Sequence, residues 1–156
     1  MIKITLPDGS IKEFKTNSTP FDVAKSISEG LARNIISASF NGTTVETTTP
    51  LTTDGTLILY SFNDNEGKKA FWHSSAHVLA EAILSFYPDA KLTIGPAIDN
   101  GFYYDLDLGE KTISEKDFPS IEKKFLEIAR GKYEFKMREV SKADALSLYK
   151  EENNPY

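Results

Sequence analysis

Ile2-Lys3-Ile4-Thr5-Leu6-Pro7-Asp8-Gly9-Ser10-Ile11-Lys12-Glu13-Phe14-Lys15 is the stretch from which the fold is read. Residues 2–6 alternate apolar and polar, the period of a half-buried strand. Pro7-Asp8-Gly9-Ser10 is a turn, because Pro presets φ and Gly accepts a positive one. Residues 11–15 return as a second strand, so the pair is a hairpin. Thr19-Pro20-Phe21-Asp22 starts a helix: Thr19 caps, Pro20 suits the first helical position, and Asp22 closes a capping box. This helix is expected to reach Ser28, with Gly30 as its stop. Ile35 to Phe40 is a third strand, Asn41-Gly42 a hairpin turn and Thr43 to Glu46 a fourth strand. Leu57-Ile58-Leu59-Tyr60 is a short apolar run suited to burial between two neighbouring strands.

The order strand, strand, helix, strand, strand, strand over residues 1–62 is that of an α+β domain of the β-grasp (ubiquitin-like) type. Asn63-Asp64-Asn65-Glu66-Gly67-Lys68-Lys69 is polar and contains Gly, and is expected to be a linker. The second domain, 63–156, is also α+β. Residues 69–86 follow a helical period, with Trp72, Ala76, Leu79, Ile83 and Phe86 on one face. A loop rich in Gly, Pro and Asn follows over 92–105, with strand expected near 102–106. A helix is expected over about 115–130, starting either at a Ser114–Asp117 cap or near Pro119. Residues 134–140 alternate as a strand, and Ser141 with Asp144 caps a last helix.

The chain has 156 residues, 18 basic and 23 acidic, a net charge of −5 and no cysteine. Basic and acidic residues number five and six in 1–62, and 13 and 17 in 63–156. This balance argues against a strongly basic nucleic-acid binder, without excluding a local RNA contact. Without cysteine there is no disulfide framework, thiolate metal site or cysteine nucleophile. No apolar run approaches about 18 residues and the start has no signal-peptide pattern, so a cytoplasmic protein without a membrane partner is expected.

The two histidines, His73 and His77, are spaced i, i+4 on a helix and leave it on one face, with Glu81 one turn further on. Three readings stand side by side. They are a metal half-site with Glu81 as third ligand, a general acid–base or orienting pair in a pocket, and a pair that simply packs or faces water. In the loop, Gly95-Pro96 and Asn100-Gly101 bend the backbone ahead of Phe102-Tyr103-Tyr104, with Asp99 and Asp105 as flanks. That composition suits either a ligand pocket with a tyrosine hydroxyl or a tight hairpin with an aromatic core. Lys116, Lys123, Lys124 and Arg130 interleave with Glu122 and Glu127, the pattern of a solvated helix face.

Ile4-Thr5-Leu6-Pro7-Asp8-Gly9-Ser10 and the Asn41-Gly42 turn resemble the TGS domain, a β-grasp module of threonyl-tRNA synthetases, some GTPases and stringent-response enzymes. Trp72-His73-Ser74-Ser75-Ala76-His77-Val78-Leu79-Ala80, followed by Ile94-Gly95-Pro96-Ala97-Ile98-Asp99-Asn100-Gly101-Phe102-Tyr103-Tyr104-Asp105, looks like the start of the threonyl/alanyl-tRNA synthetase editing domain. The tandem is similar to the N-terminal region of bacterial threonyl-tRNA synthetases. The resemblance implies a parent enzyme that joins threonine to tRNA(Thr) with ATP, and a proofreading module that hydrolyses seryl-tRNA(Thr). Serine differs from threonine by one methyl, worth only about 1–3 kcal/mol of discrimination, so a second hydrolytic site is needed.

By the same resemblance His73, His77 and Tyr104 are catalytic, while Gly95, Pro96, Asp99 and Asn100 bind substrate. It implies no metal at the histidine pair; related alanyl-type domains do use such a pair, with a later Cys-x3-His, for a metal. ATP, Mg and Zn belong to a catalytic domain beyond this sequence, the acceptor end of tRNA(Thr) is the partner, and the full enzyme is expected to be a homodimer. The family's editing site also draws on an Asp, a Cys-x3-His and a Lys from later sequence, the Lys following an Asn-Pro-Tyr like Asn154-Pro155-Tyr156. Half a pocket, inactive by itself as a deacylase, is therefore expected. Two other functions remain open, a stand-alone RNA-binding or regulatory TGS module and a metal-dependent hydrolase using His73, His77 and Glu81.

Overall fold

The first strand, β1 (Ile2–Thr5), pairs antiparallel with β2 (Ile11–Phe14), with Ile2 opposite Phe14 and Thr5 opposite Ile11. The computed structural model describes residues 1–133 and 139–151 and divides the chain into two units, Met1–Phe71 and Trp72–Tyr156. The turn between β1 and β2 closes as expected: Gly9 has φ +82°, and its N–H donates to the Leu6 carbonyl at 2.9 Å. Helix α1 (Pro20–Ile27) has the expected capping box, with the Asp22 N–H donating to Thr19 Oγ1 at 3.2 Å and the Thr19 N–H to Asp22 Oδ2 at 2.9 Å.

Gly30 is not the stop. Ser28 leaves the helix in extended conformation, and its hydroxyl accepts the Leu31 N–H at 3.0 Å, starting α2 (Glu29–Asn34) with Gly30 inside it. Strand β3 (Ile35–Phe40) then turns at Asn41-Gly42, both at positive φ, into β4 (Thr43–Val45). The last strand of the unit is β5 (Gly55–Ser61).

The sheet order is β2-β1-β5-β3-β4, with β5 parallel to β1 and antiparallel to β3. The apolar run 57–60 thus lies between two neighbours, as its composition anticipates. Ile2, Ile4, Leu6, Val23, Ala38, Leu51 and Leu57 form the core between sheet and helix. On β3, Ser37 and Ser39 take the alternate positions and are buried; the Ser37 hydroxyl has no hydrogen-bond partner among the described residues.

Residues 65–69 are helix rather than linker, since α3 runs over Asn65–Leu84. The Asp64 carboxylate accepts the Ser61 N–H at 2.7 Å and the Ser61 hydroxyl at 2.9 Å, and the Asp64 carbonyl accepts the Lys68 N–H at 2.9 Å. Those bonds hold the Asp64 carboxyl below its ordinary pKa. Gly67 is buried against β5: a Cβ there would lie 1.9 Å from the Ser61 carbonyl oxygen.

In the second unit α3 ends at Leu84, before Phe86, which is exposed instead of completing the apolar face. The strands are short. β6 (Lys91–Leu92) pairs with β9 (Leu106–Asp107), and β7 (Ala97–Ile98) with β8 (Gly101–Phe102), leaving 103–105 outside the strands. Helix α4 is Phe118–Arg130, starting by Pro119. Asp117 makes no capping bond to the helix, because its carboxylate takes the Ser114 N–H and hydroxyl, both at 2.8 Å. The helix buries Ile121 and Ile128 against Ala82 and Ile83 of α3. Ser141 and Asp144 cap α5 (Lys142–Glu151) as anticipated, the Asp144 N–H donating to the hydroxyl at 3.1 Å. Of the strand expected over 134–140, residues 134–138 lie outside the described residues.

Two substitutions should move stability in opposite directions. Gly67→Ala gains at most about 1 kcal/mol of helix propensity but meets a backbone carbonyl, an overpacking cost of about 1–3 kcal/mol, so the urea midpoint should fall. Ser37→Ala removes a buried hydroxyl that has no partner among the described residues, and should raise that midpoint through a gain of about 1 kcal/mol in stability.

Candidate functional site

All the candidate residues lie in the second unit. On α3 the i, i+4 spacing delivers what it promises: His73 Nε2 and His77 Nε2 are 3.1 Å apart, with the rings edge to face and their centroids 4.6 Å apart. At that separation one Nε2 donates and the other accepts, so in the neutral pair one ring carries its proton on Nε2 and its neighbour on Nδ1. Desolvation lowers the His77 pKa, and the charge on His73 lowers it further. His77 therefore resists protonation. Among the described residues no three His, Cys, Asp or Glu side chains come together as a metal-binding group, so Glu81 does not join the histidines as a third ligand.

The loop forms a second constellation. The ladder begun by β6 and β9 continues past the strands, with the Thr93 N–H and hydroxyl bonded to the Asp105 carbonyl at 3.2 and 2.7 Å and the Asp105 N–H to the Ile94 carbonyl at 2.9 Å. Gly95 and Tyr104 therefore face each other. A Cβ on Gly95 would fall 2.3 Å from Tyr104 Cδ2, so only glycine leaves room for the ring. Burial pushes the Tyr104 hydroxyl pKa up, and Tyr149 of α5 pushes it the same way. Near neutral pH the hydroxyl stays protonated and can donate. Pro96 is half-buried beside Gly95, whereas Asp99 and Asn100 form the exposed turn between β7 and β8.

The structure thus pairs His73 with His77 and Gly95 with Tyr104, and sets Asp99 and Asn100 at a hairpin tip. Two participants were missed by sequence reasoning. Trp72, read from sequence as part of the apolar helix face and the head of the histidine motif but given no partner, places its ring 6.3 Å from that of Phe102, setting α3 beside the β7–β8 hairpin. Tyr149 acts on Tyr104 from 45 residues along the chain, and no local pattern signals such a long-range partner.

Residues 2–60 match the TGS domain family, in agreement with the β-grasp sheet. Beyond them similarity continues across the second unit. The threonine--tRNA ligase of Flavobacterium johnsoniae is 68% identical over 151 residues, covering 97% of this chain and 23% of that protein. Those of Cytophaga hutchinsonii and Clostridioides difficile are 51% and 49% identical over 156 residues, covering all of this chain and 24% of each. Over its whole length the chain is similar to threonine--tRNA ligases. It spans about a quarter of the length of these ligases.

The His77 pKa provides a direct check. Above about pH 6.5 His77 is neutral whether folded or unfolded, so the depressed value has no effect on stability there. As pH falls below 6.5, unfolded His77 takes up its proton before the folded residue, and stability declines with pH. A proton-resolved histidine titration should place the His77 midpoint below 6.5. In His73→Ala it should move back part of the way, because the charge is removed and the desolvation is kept.

Proposed function

We propose that this chain serves as the TGS domain and part of the proofreading module of a threonine--tRNA ligase, whose parent activity attaches threonine to tRNA(Thr) with ATP. The observation that carries the reading is similarity to such ligases over 97–100% of the chain, well past the TGS match. A TGS domain alone would equally suit a stand-alone RNA-binding module; the continuing identity through residues 61–156 favours the ligase.

In the proposed reaction, water adds to the ester carbonyl of seryl-tRNA(Thr), and serine departs as the terminal ribose oxygen recovers a proton. His73 is the residue that holds the water or the ribose hydroxyl. With its proton on Nε2, donated to His77 Nε2, the Nδ1 lone pair is left for an incoming O–H. His77, held neutral by desolvation, orients the His73 ring by accepting that hydrogen bond. The Tyr104 hydroxyl orients the substrate by donation, Gly95 and Pro96 supply a backbone wall, and Asp99 and Asn100 contact the substrate from the hairpin tip. The chain contains no cysteine, and no three metal-binding side chains converge among the described residues. This chain covers about a quarter of such ligases, and we assign their ATP, magnesium and zinc to the part it does not cover, routing no step through them. Binding of the tRNA acceptor end, dimerisation of the parent and a cytoplasmic location complete the proposal.

In the parent enzyme, His73→Ala should slow serine release from seryl-tRNA(Thr) by about 10²–10⁴-fold, the usual range for losing a general base, and leave threonine attachment unchanged. Unchanged deacylation would overturn the assignment. The 156-residue chain alone should release no serine from the mischarged tRNA.

A further inference from the structure

Two Asn-Gly dipeptides occur in the chain: Asn41-Gly42 is the two-residue turn between β3 and β4, whereas Asn100 ends the Asp99-Asn100 turn and Gly101 opens β8; both asparagines are exposed. We propose that Asn100 is a site of spontaneous deamidation and that the fold protects Asn41 from the same reaction. Asn-Gly is the sequence at which this reaction meets the least steric resistance, because glycine has no side chain to shield its nitrogen. In the reaction, hydroxide removes the Gly101 amide proton and the nitrogen attacks Asn100 Cγ. The tetrahedral intermediate expels the side-chain nitrogen as ammonia and closes a five-membered succinimide. Water then opens either carbonyl, giving aspartate or isoaspartate, for a net loss of ammonia and gain of water.

Ring closure requires the side-chain carbonyl to swing onto the following nitrogen. At Asn41 that swing is blocked. Its Oδ1 accepts the Thr56 N–H at 2.9 Å, and its own N–H donates to the Thr56 carbonyl at 2.9 Å. The side-chain amide also lies against Gly55, so tightly that a Cβ there would be 2.5 Å from Oδ1 and 2.6 Å from Nδ2. The turn joins β3 to β4 in the five-stranded sheet. Freeing Asn41 therefore means breaking bonds to β5 as well as opening its own hairpin.

Nothing comparable holds Asn100. Its side chain makes no hydrogen bond among the described residues, and a Cβ on Gly101 would meet nothing within 4 Å. The Ile98–Gly101 pair closing the turn belongs to a ladder with only two residues in each strand. Such a ladder opens at little cost, freeing the Gly101 nitrogen. Conversion would set a second carboxylate next to Asp99, and isoaspartate would add a backbone methylene inside the turn.

The test is peptide mapping of the folded chain during incubation at mildly alkaline pH, following the amide-to-acid mass change and isoaspartate at each site. The Asn100 peptide should convert at least about tenfold faster than the Asn41 peptide, tenfold being the protection given by a local opening cost of about 1.4 kcal/mol. In urea the two rates should converge, and Asn100→Gln should abolish the fast phase. Equal rates in the folded chain, a faster Asn41, or a difference that survives in urea would each overturn the proposal.

Discussion

The parallel pairing of β1 with β5 is the contact on which the first unit depends. These strands are the first and last of the sheet in chain order, yet they lie side by side at its centre. Everything between them is the crossover that a parallel pair demands. The pairing buries Ile4 and Leu57 completely, and allows β3 to add to the far side of β5. It tolerates no side chain at residue 55, where Phe40 and Asn41 occupy the space a Cβ would need. Contacts so distant in sequence carry a loop-closure cost before they are rewarded, which makes the centre of the sheet the slow part to assemble.

The second unit places its chemistry differently. A single helix supplies both imidazoles, so their mutual geometry is set by helical repeat and needs no tertiary contact. Gly95 and Tyr104, by contrast, meet only because residues 93–94 and 105 continue the short β6–β9 ladder. The histidine pair is therefore locally encoded, while the tyrosine depends on the hairpin being formed.

That difference explains what could be read from the sequence. The first hairpin, the Thr19–Asp22 and Ser141–Asp144 boxes and the Asn41-Gly42 turn are local signals, and each appears where expected. The start of α3 was not legible, because Ser-x-x-Asp has two structural meanings here. In the boxes the aspartate N–H donates to the Thr or Ser hydroxyl, and the aspartate lies inside the helix. At Ser61–Asp64 and Ser114–Asp117 the aspartate N–H donates instead to the serine carbonyl, so the motif is a turn and the aspartate precedes the helix. The side-chain clasp from hydroxyl to carboxylate is common to all four, so residue identity alone does not separate them. Trp72 with Phe102, and Tyr149 with Tyr104, are tertiary relations that no local window contains.

Ser61 belongs to two structures at once. As the last residue of β5 it pairs with Ile35, while its N–H, hydroxyl and carbonyl all engage Asp64 at the threshold of α3. Gly67 lies against that same carbonyl. The first turn of the helix therefore has no independent fraying transition. Melting it releases the Asp64 clasp on Ser61, and peeling the end of β5 removes the anchor of the helix. In the language of subglobal unfolding, residues 61–68 and the β3–β5 edge form one cooperative unit rather than a strand followed by a flexible joint.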